Sequence, residues 1–157
     1  MVYLIGSLKN PKIPDIANQL TAAGYEAFAD WHGAGPDADD KLWEYAQLRG
    51  LDYRQALQTY AAKNIFDFDK KHIDRAEMGV LIAPFGRSGC LELGYMLGDK
   101  KPGFVLLDKD PSRRLEVMLQ FATGIAFNME ELLTMMRREE MKRNRSVELC
   151  VSCGREV

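Results

Sequence analysis

Cysteine is scarce in this chain: Cys90 stands alone and Cys150 lies near Cys153, three residues among 157. That is too few for a disulfide framework at this length, and a reducing compartment is expected. The Cys150/Cys153 pair is half of a zinc knuckle. A structural zinc takes four ligands, and no second pair follows. Two subunits meeting on a two-fold axis could supply four thiolates. The expectation adopted is free thiols at the chain end, and no metal. No sign of charge dominates either, because 21 lysines and arginines stand against 23 acids for a net charge of −2. Global attraction to a nucleic-acid polymer or an anionic membrane is thereby excluded, and an anionic ligand would have to be held locally. No apolar run approaches a membrane span, and the run from Val2 to Ile5 is too short and too uncharged for a signal peptide, so a cytoplasmic location is expected. Internal repeats and low-complexity linkers are missing as well. What the chain does have is 46% hydrophobic and 28% charged residues, the balance of one globular domain with a proper core.

Apolar runs of strand length recur at Val2–Ile5, Tyr25–Ala29, Gly79–Pro84, Gly103–Leu107 and Gly124–Phe127. Helical patterns separate them. Between the first two runs, Ile13, Ile16, Ala17, Leu20 and Ala23 recur at helical spacing, with Gly24 as a stop signal. Alternation of this kind predicts an α/β fold: a small doubly wound, flavodoxin-like, five-stranded parallel sheet with flanking helices. Ligands are expected at the carboxyl ends of the strands. The predicted domain covers 1–140, and 141–157 reads as a C-terminal tail.

The stretch from Asp30 to Asn64 exceeds an ordinary connection and carries Trp31, His32, Trp43 and three further tyrosines beside Asp37, Asp39 and Asp40. Long aromatic insertions near strand ends are often functional. Within it Tyr53, Leu57, Tyr60, Ala61 and Ile65 approximate one helical face, which reads as a packing stripe, while Trp31 and His32 are candidates to line a site. Asn128 with Glu131, ahead of Leu132 and Leu133, predicts a capping box that opens the last helix. Its mixed-charge continuation from Arg137 to Arg145 reads as a solvated face.

Three segments could carry chemistry. Gly6, Ser7 and Lys9 follow the first strand, where glycine permits close backbone approach and a hydroxyl and a cation could meet a polar or anionic ligand. Ser88, Gly89 and Glu92 follow the strand Val80–Ala83. Glu92 is expected in the first turn of the next helix, ionised and with a depressed pKa, as suits a nucleophile. Asp67, Asp69, His72, Asp74 and Glu77 precede that strand, and paired carboxylates can share acid and nucleophile roles if the fold unites them. His72 by itself reads as a polar surface group.

Taken in order, VYLIGSLKN, DFDKKHIDRAE and SGCLELGY with GDKKPGFVLL resemble the nucleoside 2-deoxyribosyltransferase family, including relatives that hydrolyse 2′-deoxynucleoside 5′-monophosphates. The likeness runs from about Val2 to Met136. It implies that Glu92 is the nucleophile that forms a covalent glycosyl-enzyme. It implies further that Asp69, rather than Asp67, protonates or orients the leaving base. Tyr3 would position the nucleophile, while Gly6, Ser7 and Lys9 would surround the substrate and Ser88 and Gly89 would hold the 5′ end of the sugar. Lys9 stands where an arginine is usual, which loses a bidentate fork. Glu116 falls where relatives place an asparagine or serine donated by a neighbouring subunit, and a glutamate there repels phosphate unless Lys9 or Arg87 screens it.

The expected protein is a homodimer or higher homo-oligomer acting on a nucleoside or nucleotide without a cofactor. Exchange or cleavage of a 2′-deoxyribosyl N-glycosidic bond is the expected reaction, and transfer between bases is the leading form. Two alternatives stay open: an N-glycoside hydrolase acting on deoxy or ribo nucleotides, and a nucleotide-binding module without turnover.

Overall fold

Buried on both faces, a parallel strand needs no polar alternation, and the apolar runs of this chain form five parallel strands, the central three buried throughout. The computed structural model describes residues 1–107 and 115–153, with side chains through residue 145. The strands are β1 (Val2–Ile5), β2 (Ala27–Phe28), β3 (Met78–Ile82), β4 (Gly103–Leu106) and β5 (Gly124–Ala126). They lie in the order β2-β1-β3-β4-β5, and every neighbouring pair is parallel. The doubly wound sheet read from the sequence is therefore the observed one. β2 is shorter than its apolar run because only Ala27 and Phe28 pair with β1, at Val2 and Tyr3. Upstream, the backbone N–H of Tyr25 donates to Leu20 and the Tyr25 hydroxyl bonds Glu140, so the start of that run closes a helix end.

Six α-helices are found among the described residues: α1 (Ile13–Ala22), α2 (Ala38–Leu48), α3 (Tyr53–Leu57), α4 (Tyr60–Arg75), α5 (Arg87–Gly98) and α6 (Met129–Cys153), with short 3-10 helices at Asp30–Ala34 and Val117–Phe121; α1, α4, α5 and α6 pack on the sheet. Successive strand residues point to opposite faces, which divides the core in two. Val2, Leu4, Val80, Ile82, Phe104 and Leu106 pack with Ile13 and Leu20 of α1 and with Leu132 and Met136 of α6. Tyr3, Ile5, Leu81 and Val105 pack on the other face with Ile73 of α4 and with Leu93 and Met96 of α5. Only the second face carries a tyrosine inside a strand.

Local signals set the helix ends. The φ of Gly24, 95°, stops α1 in the left-handed region that glycine tolerates. A reciprocal capping box between Asp52 and Gln55 opens α3, and the Thr59 hydroxyl accepts from Ala62 N–H at the start of α4. At α6, Asn128 Oδ1 accepts from Glu131 N–H as the spacing predicts, but the Glu131 carboxylate accepts from Phe127 N–H and Asn128 Nδ2 in place of the Asn128 N–H, so half of the expected capping box forms. α6 runs past residue 140 to Cys153 without a break, and the side chains of Cys150 and Cys153 lie outside the described residues. Among the described residues no helix is long and apolar enough to cross a membrane.

The predicted packing stripe is not a core face. Tyr53 is 66% and Tyr60 82% exposed, with Leu57 and Ile65 also open. The two caps at Asp52 and Thr59 divide the stretch into α3 and α4, so the five positions never share one helical axis.

Candidate active site

Three elements converge on the α4/α5 face near the carboxyl edge of the sheet. β1 presents Tyr3, 1% exposed, toward that face because its neighbours Val2 and Leu4 point into the opposite core. α4 presents Asp69 one turn before the buried Ile73, on the same side of the helix. α5 presents Glu92 beside Gly89, Leu93 and Met96, which are its buried residues. Gly89 permits this approach. A Cβ there would stand 2.9 Å from Leu81 Cδ1 and 3.1 Å from Ile5 Cγ2, so a larger residue would lift α5 off β1 and β3.

The electrostatics follow from burial of two acids beside a phenol. Burial raises the Glu92 pKa to about 7, and the nearby Asp69 charge adds to the rise. This corrects the expectation of a depressed value. Since α5 starts at Arg87, Glu92 is its sixth residue, beyond the first turn in which free amides and the helix dipole act. Burial also raises the Asp69 pKa, whereas the hydrogen bond from the Tyr3 hydroxyl and the proximity of His72 pull it down. Asp69 Oδ1 is buried without a hydrogen-bond partner, the one such side-chain atom among the described residues. Burial first, and then the two carboxylates, hold the Tyr3 phenol far above its ordinary pKa, so it stays a neutral donor. The arrangement is an acid pair in a desolvated corner, with one oxygen of Asp69 left as an unsatisfied acceptor.

The turn after β1 is held in place from below. Asn10, 2% exposed, donates from Nδ2 to the carbonyl of Ala83 and accepts Lys12 N–H at Oδ1. Trp31 Nε1 donates to the carbonyl of Leu4 at 2.8 Å, and His32 Nε2 lies 3.0 Å from the carbonyl of Asn10. Both rings therefore brace the turn carrying Gly6 and Ser7. A Cβ on Gly6 would meet Ile13 Cδ1 at 2.9 Å, and Ser7 Oγ accepts Lys9 N–H. Lys9 is not an open cation: its Nζ pairs with Asp40 Oδ2 at 2.8 Å. Ser88 is exposed as the second residue of α5.

Glu116 stands apart from this cluster. It is exposed at the N-terminal end of the 3-10 helix Val117–Phe121, and among the described residues no hydrogen bond links it to Tyr3, Asp69 or Glu92. Asp67 is exposed on α4 and also lies outside the cluster. Among the described residues no three His, Cys, Asp or Glu side chains converge as a metal site.

Sequence reading overlooked an aromatic wall. Phe28 stacks on Tyr3 at 5.5 Å between centroids and on His72 at 4.0 Å, with Phe68 tilted against both Phe28 and His72. His72 is thus a half-buried member of this wall, not the polar surface group it resembles in sequence. The pairing of Phe28 with Tyr3 in the sheet register is what joins them. Only the positions of Phe68 and His72 at i and i+4, one turn around Asp69, were available as a signal.

Comparison with known proteins bears on this arrangement. No family model and no curated protein matches the sequence. Among solved structures, the chain is similar to a 2-deoxyribosyltransferase from the psychrotolerant bacterium Bacillus psychrosaccharolyticus, with 15% identity, a TM-score of 0.56, and coverage of 84% of this chain and 89% of that one. At that identity the likeness extends to the fold: the five-stranded parallel sheet with flanking helices of this chain is the fold of that 2-deoxyribosyltransferase.

Proposed function

We propose that the protein exchanges or cleaves the N-glycosidic bond of 2′-deoxynucleosides or their 5′-monophosphates as a member of the nucleoside 2-deoxyribosyltransferase family, with transfer between bases as its principal reaction. The observation that carries this reading is the buried association of Glu92 with Asp69 and the Tyr3 hydroxyl. The shared fold with a 2-deoxyribosyltransferase supports it.

A buried carboxylate pair with one proton has the parts for a double displacement. The Asp69 charge helps to hold the proton on Glu92, so that proton first passes to Asp69; the Glu92 carboxylate then attacks the anomeric carbon, forming a C–O ester bond as the C–N bond to the base breaks. The departing nitrogen takes the proton from Asp69. An incoming base then attacks the same carbon, the ester bond breaks, Glu92 leaves as a carboxylate, and Asp69 recovers a proton from the new base. Two inversions retain the configuration. Phe68, exposed beside the Phe28–His72 stack, offers an apolar surface for a base. Water in place of the second base gives hydrolysis, so exclusion of water from the glycosyl-enzyme separates the two outcomes.

The same reading has the protein act as a homo-oligomer in which a neighbouring subunit brings Glu116 to the mouth of the site. Exposed Leu115, Val117, Met118 and Phe121 around Glu116 support it, because an apolar patch of this kind is normally covered. Sedimentation of the full chain tests this point, and a monomer at working concentration would remove it.

Product analysis tests the reaction. Incubation with 2′-deoxynucleosides and their 5′-monophosphates, with and without a second free base, should give a new nucleoside or nucleotide only when the second base is present. Free base with 2-deoxyribose or its 5-phosphate would make the protein a hydrolase. Binding with no product over many hours would leave a nucleotide-binding module.

A further inference from the structure

Lys9 is the cation that the turn after β1 offers to an anionic ligand, and the fold has occupied it. Asp40, 31 residues away in sequence, holds the Lys9 ammonium at 2.8 Å, and Asp37 and Asp39 also act on its charge. Asp39 shares the first turn of α2 with Asp40, and Asp37 is the N-cap residue of that helix, so acidic charge surrounds the paired cation. The field of Asp39 adds slightly to the raised pKa of Asp69. A phosphate arriving beside Lys9 would have to displace one carboxylate and approach two more, whereas an uncharged hydroxyl meets no such opposition.

We infer that Asp40 is a specificity-determining residue: by pairing with Lys9 it sets the site against a 5′-phosphate and selects substrates with a free 5′-hydroxyl. The inference rests on the proposed glycosyl transfer and names its substrate class. Lys9 stands on the turn that follows the carboxyl end of β1, where ligands of such sheets bind, and Asp40 neutralises its charge through a contact made only in the folded chain. Releasing Lys9 would leave a flexible point charge, which binds phosphate without the bidentate geometry of arginine. Arg87, in the first turn of α5, is a second cation after a strand end among the described residues and defines the competing outcome.

The test compares Asp40→Asn, Lys9→Ala and the double variant with the unaltered protein. Each is assayed on the four common 2′-deoxynucleosides and their 5′-monophosphates, and the ratio of kcat/KM for monophosphate over nucleoside is read. Asp40→Asn should raise this ratio about tenfold, and the double variant should lose the gain, since removing one carboxylate frees one cation. An unchanged ratio, or a gain that persists without Lys9, overturns the inference, and the latter would assign phosphate recognition to another cation, for which Arg87→Ala is the next variant. Both residues are exposed, so the fold is not at stake in these variants. Absence of turnover in every variant would instead strike the proposed reaction. The inference is then decided by calorimetric titration with 2-deoxyribose 5-phosphate: binding about tenfold tighter in Asp40→Asn and dependent on Lys9 supports it. Equal affinity, or no binding in any variant, overturns it.

Discussion

The Asp69 carboxylate lies close enough to Glu92 to add to the rise in the Glu92 pKa that burial causes, and the two effects bring it to about 7. One proton then resides on the pair from the raised Asp69 value up to about pH 7, and the pair titrates as a unit. The singly protonated pair is the reactive form, so kcat/KM should be bell-shaped and should fall as pH passes about 7 and the last proton leaves. Asp69→Asn should slow turnover about 10²- to 10⁴-fold. Its residual activity should rise with pH through a single ionisation, below that of the unaltered protein because the neighbouring charge is gone. It should still lie above the ordinary 4.5, because burial is the larger cause. A pH–rate series on both proteins measures this, and identical profiles would separate the two carboxylates.

Glu92→Gln should abolish transfer, by about 10³-fold or more, since the amide cannot form the ester and Asp69 is committed to protonating the base. Its effect on stability has a sign that depends on pH. Glu92 titrates at 4.5 when unfolded and at about 7 when folded, so between these values the folded chain holds the extra proton. Stability contributed by this group therefore falls as pH rises through that window and stays low above it. Glutamine removes the penalty, so the variant should be more stable at pH 8 by about 1–3 kcal/mol and nearly unchanged at pH 4. Thermal melts at the two pH values provide the measurement.

Tyr3→Phe keeps the buried ring and its stack on Phe28 while deleting the hydroxyl that hydrogen-bonds Asp69. The Asp69 pKa should rise further once that bond is gone. Turnover should drop about 10- to 100-fold, with a loss of stability of about 0.5–1.5 kcal/mol. Parallel kinetics and urea unfolding distinguish the two effects; a large stability loss with full activity would make Tyr3 a core residue only.

Gly89→Ala should displace α5, because the added methyl would meet Leu81 and Ile5 from the sheet below. A cost of about 1–3 kcal/mol is expected from overpacking. The shift carries Glu92 with it, three residues on, so kcat should fall more than KM changes. Gly98→Ala, where a Cβ meets nothing within 4 Å, is the control on the same helix and should leave activity intact.

The architecture was legible because its signals are local and redundant. Apolar runs such as Val80 to Ile82, the α1 pattern from Ile13 to Leu20, and caps such as Asn128 with Glu131 each constrain a few neighbouring residues, and together they specify five parallel strands between helices. The stretch after Asp30 was less legible. Its tyrosines have helical spacing, yet the caps at Asp52 and Thr59 interrupt the helix and leave Tyr53 and Tyr60 exposed.

The identities and chain order of Tyr3, Asp69 and Glu92 are sequence properties, and they sufficed to nominate an acid pair beside a phenol. Their electrostatics belong to the tertiary structure. Whether Glu92 has a low or a high pKa depends on how much water the corner keeps and on whether Asp69 is near, and both depend on how α4 and α5 seat on β1. The same holds for Lys9, an open cation in the sequence and a paired one in the fold once α2 brings Asp40 to it. Desolvation and charge pairing act through space, between residues that chain separation leaves unrelated, and only packing sets those distances.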